Sequence, residues 1–265
     1  MINSAYTSAV STIKPHIWKI IIPQHLILIA GLVSIFLGYA SWWALLLIPL
    51  GYLVFGYLGF TMFMHRYWSH RSFETYSWLA YFGAYLGLLC GNGTPIAVEA
   101  IHMRLHHANS DSVLDPHTPA KGKLWSWILW HNMTHSWPKL NLKLLKDPIL
   151  KFMHRHYFKI WWVTFFILTL INWKLSVFFM VGGGVYHFHL EGLVNTFAHS
   201  GEQYGYVNGD TGDNSVNINS KLLMFLSLGN SLHHNHHLQP WNYTFAIKKG
   251  EFDLAKYIVP LISKS

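Results

Sequence analysis

Charge is what this sequence has least of. Charged side chains make up 11% of the 265 residues and hydrophobic ones 52%, whereas an ordinary soluble domain is roughly 25% charged. That balance argues against a soluble domain and points to a membrane protein. Cysteine is nearly absent too. The single Cys90 excludes an intrachain disulfide and a cysteine-rich zinc or iron–sulfur site. The N-terminal stretch lacks the short apolar core and small-residue cleavage site of a secretory signal, so the apolar segments are expected to be retained. Acidic residues number 11 against 19 Lys and Arg, a formal charge of +8. Because the basic residues alternate with apolar tracts, an anionic lipid face or an acidic partner fits better than nucleic acid.

No charged residue occurs from Ile20 to His65, Thr75 to Val98, Ile160 to Trp173 or Leu175 to Leu190, and one crossing needs about 20 apolar residues. The spacing predicts an all-α integral membrane protein, a single domain over 1–265. Four transmembrane helices, about 22–40, 43–64, 158–172 and 175–197, form two hairpins turning near Ala40-Ser41-Trp42 and Asn172-Trp173-Lys174. Segments 65–157 and 198–265 then form a cytoplasmic or interfacial helical cap. Ser77 to Cys90 is expected to lie at or dip into the interface, broken by Gly91-Asn92-Gly93-Thr94-Pro95. A fifth span there is the alternative, but it would put His65 and His70 opposite His102 to His107. With four spans, 18 of the 19 Lys and Arg share the histidine side and only Lys174 lies opposite. By the positive-inside rule that face, with both termini, is cytoplasmic.

What the sequence does have is histidine: 19 of them. They cluster as His65 and His70; as His102, His106 and His107; as His199, with Asn195 one turn before it; and as His233, His236 and His237, which share one helical face while His234 falls outside it. These nine imidazoles exceed what one ion can hold, so two metals are implied. His131 and His135, four apart, are second choices. His16, His25, His154, His156, His187 and His189 read as ordinary interfacial or hydrogen-bonded side chains. All-imidazole ligation suits Fe, Zn, Cu or Ni and disfavours Mg and Ca. The HExxH spelling of zinc hydrolases is absent, and a large paired nitrogen-rich site at a membrane surface suits redox work on dioxygen, which makes iron the choice.

These spellings resemble the membrane fatty acid desaturases, specifically the acyl-CoA and acyl-lipid delta-9-like branch. His65 to His70 with Arg66 and Arg71 is similar to that family's first box. Arg104 to His117, "RLHHANSDSVLDPH", resembles the second box and its following Asp-Pro-His, Asn195 to His199 the NxxxH element, and His233 to His237 the final HxxHH box. The resemblance implies a non-haem di-iron centre, a water held near one iron by Asn195, and an acyl chain threaded between the helices. It also implies O2-dependent insertion of a cis double bond, at the delta-9 position, into a saturated acyl-CoA or acyl-lipid. Two spellings depart. The family's second box would place a histidine at Met103, and here it stands at His102. On an ideal helix 103, 106 and 107 span about 100°, against about 140° for 102, 106 and 107, so His102 ligates only if the helix start is unwound. Asn230-Ser231 replaces a Glu-Gly pair before the final box, where Asn230 is expected to orient a ligand ring from outside.

Asp111 and Asp115, close after the second box, are expected to orient ligand histidines, an exposed loop being the alternative. No electron-carrier domain is apparent, so a separate donor, of ferredoxin or cytochrome b5 type with its reductase, is expected. Lys121, Lys123, Lys139, Lys143, Lys146 and Lys151 suit such an acidic partner, and equally suit anionic lipid or a substrate headgroup. Competing readings are a related histidine-box hydroxylase or ketolase acting on sterol, carotenoid or alkane, and a metal transporter. The transporter is disfavoured because its ligands would sit near the bilayer midplane rather than at span ends.

Overall fold

The computed structural model describes residues 17–132 and 142–264. The described chain is mostly helical. Its one sheet is a two-stranded ribbon in which Gly205 and Tyr206 pair antiparallel with Ile218 and Asn217. The all-α expectation holds except for that ribbon. Packing divides the chain into two compact units, Met1–His65 with Ala80–Ala100 and Thr134–Phe188, and Arg66–Leu79 with Ile101–Met133 and His189–Ser265.

Among the described residues three helices, each mostly within the first unit, are long and apolar enough to cross a membrane: Trp18–Phe36 of 19 residues, Trp42–Ser69 of 28 and Tyr157–Ala198 of 42. The last would run about 63 Å at 1.5 Å per residue, twice the hydrocarbon thickness. It breaks at Asn172, whose φ of −164° and ψ of 113° are not helical. Across the break Thr169 Oγ1 donates to Ser176 Oγ at 2.8 Å, and Asn172 Oδ1 accepts from the Lys174 amide. The expected turn at Asn172-Trp173-Lys174 therefore coincides with a real interruption of the helix.

Lipid provides no hydrophobic drive between helices, so close approach matters. An added Cβ at Gly51 would lie 1.8 Å from the carbonyl oxygen of Phe179, and one at Gly59 would lie 2.3 Å from the amide nitrogen of Gly87. Only glycine lets these backbones touch. Large apolar side chains such as Leu170, Phe36 and Trp43 remain exposed, as lipid-facing residues should.

Ser77–Leu89 is a helix of 13 residues, about 20 Å long and too short to cross. Beyond it the backbone leaves helical geometry at Gly91 and Gly93, with φ of 88° and 123°. Side chains satisfy the freed groups, as non-helical backbone away from water requires. Gln24 Nε2 donates to the Cys90 carbonyl at 3.1 Å, Trp161 Nε1 to that of Leu89 at 3.1 Å, and the Gly93 amide donates to Tyr157 Oη at 3.2 Å. Beside them, His154 Nδ1 and Thr94 Oγ1 are 2.7 Å apart.

Among the described residues four stretches are wound as π-helix, Ile17–Ile21, Tyr52–Ser69, His102–His106 and Leu175–Val181, and the second and third carry histidine boxes. In that winding the hydrogen bond runs from i to i+5, and the His107 amide indeed donates to the His102 carbonyl. Residues five apart come onto one side. That is the spacing of both His65 to His70 and His102 to His107.

Candidate metal centre

Eight of the nine expected histidines belong to the second unit, where they form two groups. In the first, the Nε2 atoms of His70 and His102 lie 2.8 Å apart, His107 and His102 3.0 Å, His107 and His236 2.9 Å, and His102 and His236 3.3 Å. The π-helical turn is what aims His102 and His107 at one point. The 140° arc expected for 102, 106 and 107 belongs to an α-helix and does not apply. His65 is the last residue of the first unit, on the continuous helix Trp42–Ser69 that leads into His70.

In the second group, the ligating atoms of His106, His199, His233 and His237 all lie within 4.8 Å of one another. His199 and His233 Nε2 are 2.9 Å apart, His233 and His237 3.1 Å, and His106 and His237 3.2 Å. The rings of His107 and His237 stack between the groups with centroids 4.5 Å apart.

Carboxylates hold the far side of three of these rings. Asp115 accepts from His106 Nδ1 at 3.1 Å, Asp111 from His199 Nδ1 at 3.0 Å and Asp213 from His237 Nδ1 at 2.7 Å. With Nδ1–H donated outward, each Nε2 lone pair faces the cluster. Asp111 adopts φ of 62°, a left-handed conformation that Asp tolerates better than most residues, and its second oxygen accepts the Asn214 amide at 2.6 Å. Asp115 is fully buried. Burial pushes its carboxyl up, but His106 and the His117 amide together hold it well below the usual range. Asp213 follows the same logic, drawn down against its burial by His237, Ser215 and Thr211.

Burial dominates the imidazoles. It pushes His70 down to about 3, aided by repulsion from His237, Arg66 and His106. His237 is likewise pushed to about 3, with Asp213 opposing, and His233 falls well below its ordinary value. These rings are neutral at physiological pH, the form that ligates metal. Neutral lone pairs aimed at one another repel unless a cation stands between them. Nitrogens about 2.1 Å from a common ion, at right angles, are about 3.0 Å apart, close to the spacings found. The residues present fit metal ions.

The other expected residues fall as follows. Asn195 is half-buried one turn before His199. Asn230 meets Arg66 and Glu191. His234 stays out of the cluster, its Nδ1 2.9 Å from the Ser215 carbonyl oxygen. The side chain of His131, with His135, His16 and Lys139, lies outside the described residues. Lys121 Nζ donates to the Asp115 carbonyl and Lys123 Nζ to the Tyr204 hydroxyl. A cavity of about 430 Å³, lined in part by Lys123, Gln203 and Asn214, reaches His199 and Asp111.

Two residues beside the histidine rings escaped the sequence reading. Asp213 stands in an ordinary-looking polar loop, "NGDTGDNS", with no spacing that ties it to His237. His117 was visible only as part of Asp-Pro-His. It is buried against Trp130, its ring 5.1 Å from that of His106, and neither ring nitrogen has a hydrogen-bond partner.

Helices long and apolar enough to cross a membrane, together with a carboxylate-backed histidine cluster, define a membrane protein built to hold metal. Comparison with known proteins names the class more closely: the fatty acid desaturase family matches residues 26–250, and the chain belongs to that family. It is 33% identical over 227 residues to the sn-1 stearoyl-lipid 9-desaturase of Anabaena variabilis, covering 84% of this chain and 81% of that protein. An acyl-CoA 5-desaturase of Anemone leveillei is 31% identical over 248 residues, 90% of this chain and 75% of the relative. Delta-9 acyl-lipid desaturase 1 of Arabidopsis thaliana is 31% identical over 229 residues, 82% and 72% respectively.

Proposed function

We propose that this protein is an O2-dependent desaturase that places a cis double bond, at the delta-9 position, in a saturated fatty acyl chain carried on lipid or CoA. The observation that carries this reading is the convergence of imidazole nitrogens into two groups in a member of the desaturase family. His65, His70, His102, His107 and His236 would hold one iron, and His106, His199, His233 and His237 the other, with Asn195 holding a water near the second. Two irons held there supply the oxidising power, drawn from dioxygen, that an unactivated methylene pair requires.

The chain's own residues have narrower tasks. The imidazoles present lone pairs, while Asp111, Asp115 and Asp213 fix their tautomers and orientation. The balance is one saturated acyl chain, O2, two electrons and two protons giving one alkene and two waters. The electrons come from a separate donor, a ferredoxin or cytochrome b5 with its reductase.

The break at Asn172 supports two crossings within Tyr157–Ala198, making four spans in two hairpins. The histidine boxes and both termini then lie in the cytoplasm, and Lys174 opposite, as the distribution of Lys and Arg favours. A lipid-producing host expressing the protein with a competent reductase should gain monounsaturated acyl chains by mass spectrometry, and a His236→Ala variant should not. Hydroxylated lipid without new alkene would overturn the reading.

A further inference from the structure

We infer that Glu191 is a positioning residue for the metal centre, acting through Asn230 on the register of three ligand-bearing segments. The inference rests on the metal-binding reading of the histidine cluster. Arg66 adjoins His65 and lies four residues before His70. Glu191 lies two turns before His199 on the helix Gly182–Ala198, and Asn230 lies three residues before His233. One hydrogen-bonded bridge joins all three. Arg66 Nη2 donates to Asn230 Oδ1 at 3.4 Å, and Asn230 Nδ2 donates to Glu191 Oε1 at 2.7 Å.

Chemistry fixes the direction of this bridge. A guanidinium has donors only, so it faces the amide oxygen, and the amide NH2 is left to face the carboxylate. The other end of the bridge is held at several points. Arg66 is 1% exposed, and its Nη1 donates to both oxygens of Asp253, at 3.1 and 2.9 Å, and to the Tyr243 carbonyl at 2.7 Å. Its guanidinium lies 3.8 Å from the centroid of the Phe245 ring, which in turn packs 4.6 Å from that of His236. The backbone leading to Asn230 is shaped to reach it. Leu228 and Gly229 have φ of 53° and 107°, and a Cβ at Gly229 would lie 2.6 Å from Asp253 Cα. With Arg66 held rigid, the Asn230 amide measures the distance to the helix that delivers His199. Glu191 is where that measurement ends.

The test exchanges donor and acceptor. Full-length protein purified in detergent is titrated with Co²⁺, reading metal per chain and the visible ligand-field spectrum. Asn230→Asp turns an oxygen toward Glu191, and Co²⁺ affinity should fall on the order of tenfold with an altered spectrum, as for other groups that orient ligands from outside. Glu191→Leu, which removes the acceptor, should reproduce the loss. Adding Glu191→Gln to Asn230→Asp supplies an amide donor to the new carboxylate and should restore both affinity and spectrum. A general packing role would not give such rescue. An Asn230→Asp protein with wild-type affinity and spectrum overturns the inference, as does a double variant that fails to recover. If Asn230→Asp alone does not fold, recovery of folded, metal-binding protein in the double variant decides the matter the same way. Wild-type protein that takes up no Co²⁺ overturns the metal reading, and this inference with it.

Discussion

His237 donates from Nδ1 to Asp213 at 2.7 Å, while its Nε2 lies 3.2 Å from that of His106. One imidazole thus joins a polar loop to the centre of the histidine cluster. Asp213→Ala should weaken metal binding by roughly 10–100-fold, read by chelator competition on purified protein. Asp213→Asn, whose amide oxygen still accepts, should lose less. Equal losses would show that charge rather than ring orientation matters there.

His102 should be indispensable to metal binding and Met103 dispensable. His102→Ala removes a nitrogen 2.8 Å from that of His70, so elemental analysis should find less iron per chain. Met103→Ala should cost packing alone. An iron-replete His102→Ala protein would defeat the assignment.

Gly59→Val should destabilise the protein severely, because its Cβ would stand 2.3 Å from one backbone atom of the facing segment and 2.5 Å from another. Overpacking costs about 1–3 kcal/mol when side chains yield, and here backbone must move. Thermal unfolding in detergent should show a lower midpoint than wild type.

His154 is pushed down to about 4 by burial, against about 6.5 for an unfolded histidine. Between those values the unfolded chain binds the extra proton, so stability falls as pH drops from about 6.5 toward 4 and is unaffected above that window. His154→Gln, which retains a hydrogen-bonding partner for Thr94, should show a shallower dependence in the same window. An identical pH profile would mean other groups carry it.

Labelling of single-cysteine variants built on a Cys90→Ser background should report Asn172 on one side of the membrane and Lys121 on the other. Labels at both positions reacting from the same side would remove the four-span arrangement.

Long-range features of the site were legible because they repeat a simple physical pattern. Charge-free tracts mark the apolar helices, and histidines four apart mark a shared face, which is why His233 and His237 meet in one group, whereas His236 turns to the other. Asp115 was visible by its nearness to His106 in sequence. Asp213 was not, because loop closure alone brings residue 213 to residue 237. Glu191 was hidden for a different reason: in a stretch of apolar residues, a lone acid carries no mark of the partner it will meet. The geometry of His102 depended on helix winding, which residue identities do not reveal.

That winding has a consequence for how the box is spelled. A π-turn is equivalent to one extra residue accommodated within a helix, so the segment His102–His107 behaves as though its first histidine had been moved back by a single insertion and then wound forward again. Position in space and position along the chain are separate constraints, and here the winding brings the ring nitrogens of His102 and His107, five residues apart, to 3.0 Å. A search for such centres that demands fixed intervals between histidines will pass over chains in which the helix, rather than the alphabet, makes up the difference.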